Sequence, residues 1–173
     1  SILVRNFVSR SPLWRTCLLV YLVAVWLSPL ALAVTPAPDG GYANNNTVEG
    51  TNALFNLTTG TDNTANGFEA LFSNATGFQN TAAGSQALLN NTGNNNTALG
   101  FQALLSNTTG IDNVASGVHA LLNNTTGNNN TANGVNVLES NTTGSANTAC
   151  GWEALRSNTT GGVNTASGFQ SSP

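Results

Sequence analysis

The residues able to act as nucleophiles, general bases or metal ligands are few in this chain and far apart in its sequence. His119 is the one histidine, and Cys17 and Cys150 are the two cysteines. A nucleophile and a general base must lie within hydrogen-bond reach of each other, and no pairing of that kind can be recognised around His119. The sequence therefore predicts no catalytic residue, no cofactor and no enzyme activity. We expect Cys150 to be a free thiol.

The charged residues indicate which partners are excluded. From Val34 onward the chain has one basic residue, Arg156, against seven acidic ones, a net charge of −6. Such a surface repels phosphate backbones, so nucleic acid is excluded as a partner. The acidic residues are scattered over different positions and do not form the repeated aspartates of a calcium-binding roll, which predicts no metal site.

The first residues differ from the rest of the chain. Arg5, Arg10 and Arg15 precede the apolar run "CLLVYLVAVWLSPLALA", which ends in the small residues Ala31 and Ala33. This pattern predicts a secretory signal peptide at 1–33, followed by a Pro/Gly-rich spacer at 34–43, and a secreted or cell-surface location. The alternative is an uncleaved membrane anchor, because about 17 apolar residues is the lower limit for spanning a bilayer. Ser1 in place of a methionine, and an end at 171–173 inside a repeat, predict a fragment of a longer protein.

Residues 44–170 repeat one unit, as "NTALGFQALLSNTTG" at 96–110 shows. Glycines recur every 17 residues, with one step of 16 between Gly84 and Gly100, and the other fixed columns are counted from them. Leucine lies four residues after each glycine, at Leu54, Leu71, Leu88, Leu104, Leu121, Leu138 and Leu155. The residue before each leucine is alanine, except in the unit that has Val137. Asparagine is fixed at Asn63, Asn80, Asn96, Asn113, Asn130, Asn147 and Asn164, and alanine follows each two residues later.

Identical units that cannot each bury an apolar face do so by stacking on their neighbours, which yields a solenoid. We therefore predict an all-β parallel solenoid of about seven coils. In this interpretation the leucine and alanine columns line the interior, the asparagine column forms a ladder at a turn, and the drifting positions face water. The segment "GFQALL" leaves one alternative open, a single helical turn in each coil, because adjacent Ala103 and Leu104 break strand alternation.

Two outer features could have a function. N-x-T sequons recur at Asn56, Asn74, Asn107, Asn141 and Asn158, and we interpret them as by-products of a repeated Asn-Thr turn. Stacking would also align Thr64, Thr81, Thr97, Thr131, Thr148 and Thr165 in one rank. Flat threonine ranks resemble the surfaces of ice-binding solenoids.

The "NTALG" and "NTASG" boxes resemble the head repeats of trimeric autotransporter adhesins of the YadA type, and the wider repeat resembles bacterial surface and fibre proteins. That resemblance implies a non-enzymatic extracellular protein, an adhesin or fibre module. Its implied partners are further copies, as a homo-trimer or fibre, and a host matrix or glycan surface. A membrane would be contacted only through the signal segment or an anchor outside this sequence. The alternatives are a structural matrix or coat protein and an ice-binding solenoid.

Overall fold

The computed structural model describes residues 43–172. The predicted signal peptide and nearly all of the spacer lie outside the described residues. A short 3-10 turn at Ala43–Asn45 leads into the first strand. Among residues 43–172 there is no helix of the length and apolarity that crossing a bilayer requires.

Eight three-residue strands form one parallel sheet in sequence order, so the chain is an all-β solenoid of about seven turns. The strands are β1 (Thr47–Glu49), β2 (Thr64–Asn66), β3 (Thr81–Ala83), β4 (Thr97–Leu99), β5 (Val114–Ser116), β6 (Thr131–Asn133), β7 (Thr148–Cys150) and β8 (Thr165–Ser167). Each residue pairs with its equivalent in the next repeat, for example Ala65 with Ala82. The predicted fold class is confirmed.

Each strand buries its middle residue and turns the other two outward, because successive side chains on a strand point to opposite faces. In β4, Ala98 is fully buried while Leu99 is 42% exposed. The small alanine column faces the leucine column inside the coil. All seven leucines are at most 3% exposed, and together with the alanines they form a single continuous core.

The segment "GFQALL", for which the sequence also allowed one helical turn, contains no helix. Gln102 and Leu104 both have left-handed backbone conformations, with φ of +56° and +53°, and their equivalents in the other coils do the same. A residue with φ near +55° between two residues with negative φ changes the direction of the chain. Ala103 and Leu104 can therefore both face the core although they are adjacent, which neither helical nor strand periodicity would allow.

The glycine that follows each strand has φ between +124° and +145°. A Cβ atom at Gly67 would lie 2.6 Å from the carbonyl oxygen of Gly84, the equivalent residue of the next coil. The coils therefore approach each other through backbone alone at this column. Both requirements, the positive φ and the close approach, exclude other residues.

Candidate functional site

The fixed asparagines form a hydrogen-bonded ladder through the interior. The backbone amide and Nδ2 of Asn130 both donate to Oδ1 of Asn113, at 3.0 and 3.1 Å. Asn113 Nδ2 donates in turn to the carbonyl of Gly127 at 2.8 Å. The same pattern joins Asn46, Asn63, Asn80, Asn96, Asn113, Asn130, Asn147 and Asn164. We call these residues the first asparagine ladder, and each bond in it connects two coils.

A second asparagine ladder consists of Asn74, Asn91, Asn107, Asn124, Asn141 and Asn158. Asn124 Nδ2 donates to Asn107 Oδ1 at 2.8 Å and to the carbonyl of Gly127 at 3.0 Å. The carbonyl of Gly127 thus accepts hydrogen bonds from both ladders, and the equivalent glycines beside the other members of the second ladder do the same. Sequence reasoning missed this ladder because it treated these asparagines as parts of a turn.

Several of the N-x-T sequons have asparagines that belong to the second ladder, which agrees with their interpretation as by-products of a repeated turn. Asn74, Asn107 and Asn141 are fully buried and use their amides in the second ladder. A side-chain amide in that position is inaccessible to a transferase in the folded chain. Asn56 is exposed.

The second ladder has one fault, at the unit that is a residue short. Asn91 precedes Gly93 by two residues, whereas Asn107 precedes Gly110 by three, and Asn91 Nδ2 donates only to the Gly93 carbonyl. The Oδ1 atom of Asn74 is left buried without a hydrogen-bond partner. Among the described residues it is the one buried side-chain oxygen or nitrogen in this condition. A shortened turn therefore leaves an interior defect.

The position two residues after each strand glycine carries a polar ladder of unlike residues. Gln86 Nε2 donates to Glu69 Oε2 at 3.0 Å, and Gln102 Nε2 donates to Gln86 Oε1 at 2.8 Å. His119 Nε2 lies 3.1 Å from Gln102 Oε1, and its ring lies beside Phe101. His119 is half-buried and hydrogen-bonded, so the prediction that the drifting positions face water is wrong at this position.

The polar ladder continues at the last coils around Glu153. The hydrogen bond from Gln170 and the nearby Arg156 guanidinium lower the pKa of the Glu153 carboxyl, although its burial acts in the opposite direction. Arg156 also forms an ion pair with Glu139 at 2.7 Å. One guanidinium thus bridges two carboxylates from adjacent coils, so these residues form a structural cluster with a net charge of −1.

A cavity of about 490 Å³ lies beside this cluster, between Leu155 and Ser171. It is situated on the end of the described stack, where a further coil would pack. Its lining contains the ion pair of Glu153 with Arg156 and the hydroxyl groups of Ser157, Ser171 and Ser172. Within residues 43–172, no three His, Cys, Asp or Glu side chains come close enough together to hold a metal ion.

An exposed row of mostly apolar side chains lies directly after the strand glycines. We call it the apolar row; its members are Phe68, Ser85, Phe101, Val118, Val135, Trp152 and Phe169. All but Ser85 are between 38% and 71% exposed. The row is held in register because the carbonyl of each member before Phe169 accepts from a backbone amide of the next coil, as Phe101 does from His119 at 3.1 Å. Trp152 and Phe169 stack with ring centroids 4.8 Å apart.

The outer face of the sheet has two ranks. The first residue of each strand is threonine except at Val114, and these residues pair in register from β1 to β8. The third residue of each strand differs from coil to coil and includes Cys150, which is an exposed free thiol. We call this surface the threonine face.

The fold and these surfaces define a β-solenoid repeat protein. The sequence matches no family model, no curated protein and no solved structure. The resemblance to adhesin head repeats therefore remains a prediction.

Proposed function

We propose that the protein is a non-enzymatic surface module, an adhesin or fibre element in which a rigid stack displays an outer face for binding. The observation that carries this proposal is the division of positions within each coil. Inward positions hold the same residue in nearly every unit, whereas the third strand residue changes between coils, as the exposed Asn66, Leu99 and Cys150 show. Outer chemistry can therefore change without disturbing the interior.

The charge distribution supports a neutral or basic binding partner. The described residues carry one basic side chain, Arg156, which is already paired with Glu139 and Glu153. Threonine, asparagine and serine dominate the threonine face, and these side chains offer hydrogen bonds without charge. Matrix proteins and neutral glycans fit such a surface, and we propose an extracellular location with it.

The test is binding of the full chain to immobilised matrix proteins and neutral polysaccharides. Asn133→Arg changes an exposed residue next to the buried Ala132, so it should leave the melting temperature unchanged and alter affinity by about tenfold or more, which corresponds to ~1.4 kcal/mol. Asn90→Arg makes the same change at an exposed asparagine outside the threonine face, so it is the control and should leave affinity unchanged. Absence of binding by the folded protein to every surface tested would reject the adhesin proposal in favour of a matrix or coat protein.

Ice binding is the second candidate, and the in-register threonine rank favours it. The adjacent outward rank is mixed, with Leu99 and Cys150 where a second threonine rank would stand. Thermal hysteresis of the full chain, abolished by Thr131→Tyr and retained in Phe78→Tyr, would establish this function. Freezing without hysteresis would exclude it.

A further inference from the structure

The apolar row is too large to be scattered surface hydrophobicity. Its four aromatic side chains expose about 400 Å² together, taking about 200 Å² for a whole aromatic side chain, at exposures of 41% to 71%. Val118 and Val135 raise this to roughly 500 Å². The row extends over six coil steps, roughly 29 Å at about 4.8 Å per step. The largest apolar patch on a soluble monomer is typically about 300–600 Å² and is often functional, so the apolar row is a candidate interaction surface.

The area matches what a second copy of this chain needs. A standard interface buries roughly 800 Å² per partner, of which about 57% is apolar, or ~450 Å². The row supplies that apolar area, and it carries no charged residue. The described residues are otherwise acidic, so two copies repel each other least along this row.

The order of large and small residues in the row is self-complementary in one orientation. A two-fold axis at Val118 that reverses one copy places Phe101 opposite Val135, Trp152 opposite Ser85 and Phe68 opposite Phe169. The largest side chain thus faces the smallest, and in an isologous interface each such contact occurs twice. In parallel register Trp152 would face Trp152 and leave Ser85 facing Ser85.

The flanking polar ladder is compatible with the same arrangement. With one copy reversed, Glu69 lies opposite Gln170 and Glu153 lies opposite Gln86, so no carboxylate faces another. Both pairs combine a carboxylate with an amide donor. The amide and carboxylate pairing already occurs within the chain, where Gln170 donates to Glu153 at 3.0 Å.

We propose that two copies of this chain pack side by side in antiparallel orientation through the apolar row, with the two-fold axis at Val118. The third-residue rank of the threonine face borders this interface, whereas the rank of first strand residues stays open in both copies. The pair would therefore display two threonine ranks on one rigid unit.

Two aromatic substitutions of matched exposure test the surface. Phe101 is 45% exposed within the row, and Phe78 is 41% exposed outside it. We expect light scattering to give a dimer for the full chain and for Phe78→Asp. Phe101→Asp should raise the dimer dissociation constant by about thirtyfold or more, with an unchanged circular dichroism spectrum. A monomeric parent chain, or equal effects of the two substitutions, would overturn the assignment.

The native thiol tests the orientation. In the reversed copy Cys150 faces Ala83, four coils away in its own chain, so an Ala83→Cys chain can form this disulfide only between copies. With Cys17 replaced by serine, oxidation should therefore yield covalent dimers of the Ala83→Cys chain, resolved on a non-reducing gel. Asn66→Cys, one coil further along the same rank, is the control and should remain uncrosslinked. Equal crosslinking of both variants, or of neither, would refute the antiparallel pairing.

Discussion

Insertion of one threonine between Thr92 and Gly93 should stabilise the protein, because it restores the period at the fault. The insertion gives Asn91 the same three-residue distance from glycine that Asn107 has, so its Nδ2 can reach Asn74 Oδ1. A buried unpaired acceptor costs about 1–3 kcal/mol, and one regained coil-to-coil backbone bond adds ~1 kcal/mol. Ordering the additional residue costs about 1–2 kcal/mol. The net gain is ~1–2 kcal/mol.

Urea unfolding followed by circular dichroism measures this gain as a higher midpoint at unchanged slope. The control is a threonine inserted between Thr125 and Thr126, in a unit that already has 17 residues. That insertion disrupts an intact ladder at Asn124 and should destabilise the chain. If the first insertion lowers the midpoint as much as the second, the unpaired oxygen of Asn74 has no energetic cost and the reasoning fails.

Three substitution pairs test other parts of the stack, each with a control that differs in environment. Leu104→Ala should cost about 2–5 kcal/mol, since it opens a cavity in the core, whereas Leu99→Ala on the outer face should cost less than about 0.5 kcal/mol; equal midpoints in urea would contradict the inward assignment of the leucine column. Asn113→Asp should destabilise the fold at neutral pH, because the new carboxyl would face the Oδ1 atom of Asn96 and the carbonyl oxygen of Gly127, while exposed Asn90→Asp should be silent. Burial would raise the pKa of that carboxyl in the folded state. The stability of the variant should therefore be retained below the unfolded pKa of about 3.9, where the carboxyl is protonated, and lost as pH rises. A loss of stability that does not depend on pH would contradict the idea that the buried charge causes it. Val163→Asn should stabilise the chain by about 1 kcal/mol because a β-branched residue is strained at its φ of +60°, and Asn129→Val at φ +57° should have the opposite effect; thermal melts of both variants decide whether the strain is real.

The architecture could be predicted from the sequence because a residue that contacts its own copies is held constant. Leu104 and Asn113 belong to such columns, and both lie inside the stack. Periodicity could not describe the path of a single coil. The left-handed conformation of Leu104 follows from closing the coil around a narrow core, and no local preference of leucine indicates it.

The polar ladder could not be predicted from the sequence, because its residues contact one another without being constant. Glu69, Gln86, Gln102 and His119 are unlike residues, so the position seemed free to vary, yet their side chains bond in sequence. Any pair with one donor and one acceptor satisfies the contact. Residue identity therefore varies while the hydrogen bonding persists, and only the bonds between the side chains reveal the ladder.

The bonds of the first asparagine ladder have a consequence for how such a gene can change. Asn113 bonds to Asn96 and Asn130, the equivalents in the two adjacent coils. A tandem duplication of the DNA that encodes one period would therefore insert a coil whose every partner is already present, and a deletion would rejoin two compatible edges. The length of the stack can thus vary between lineages by whole coils at little cost in stability, whereas the single missing residue before Gly93 leaves a defect that no neighbour repairs.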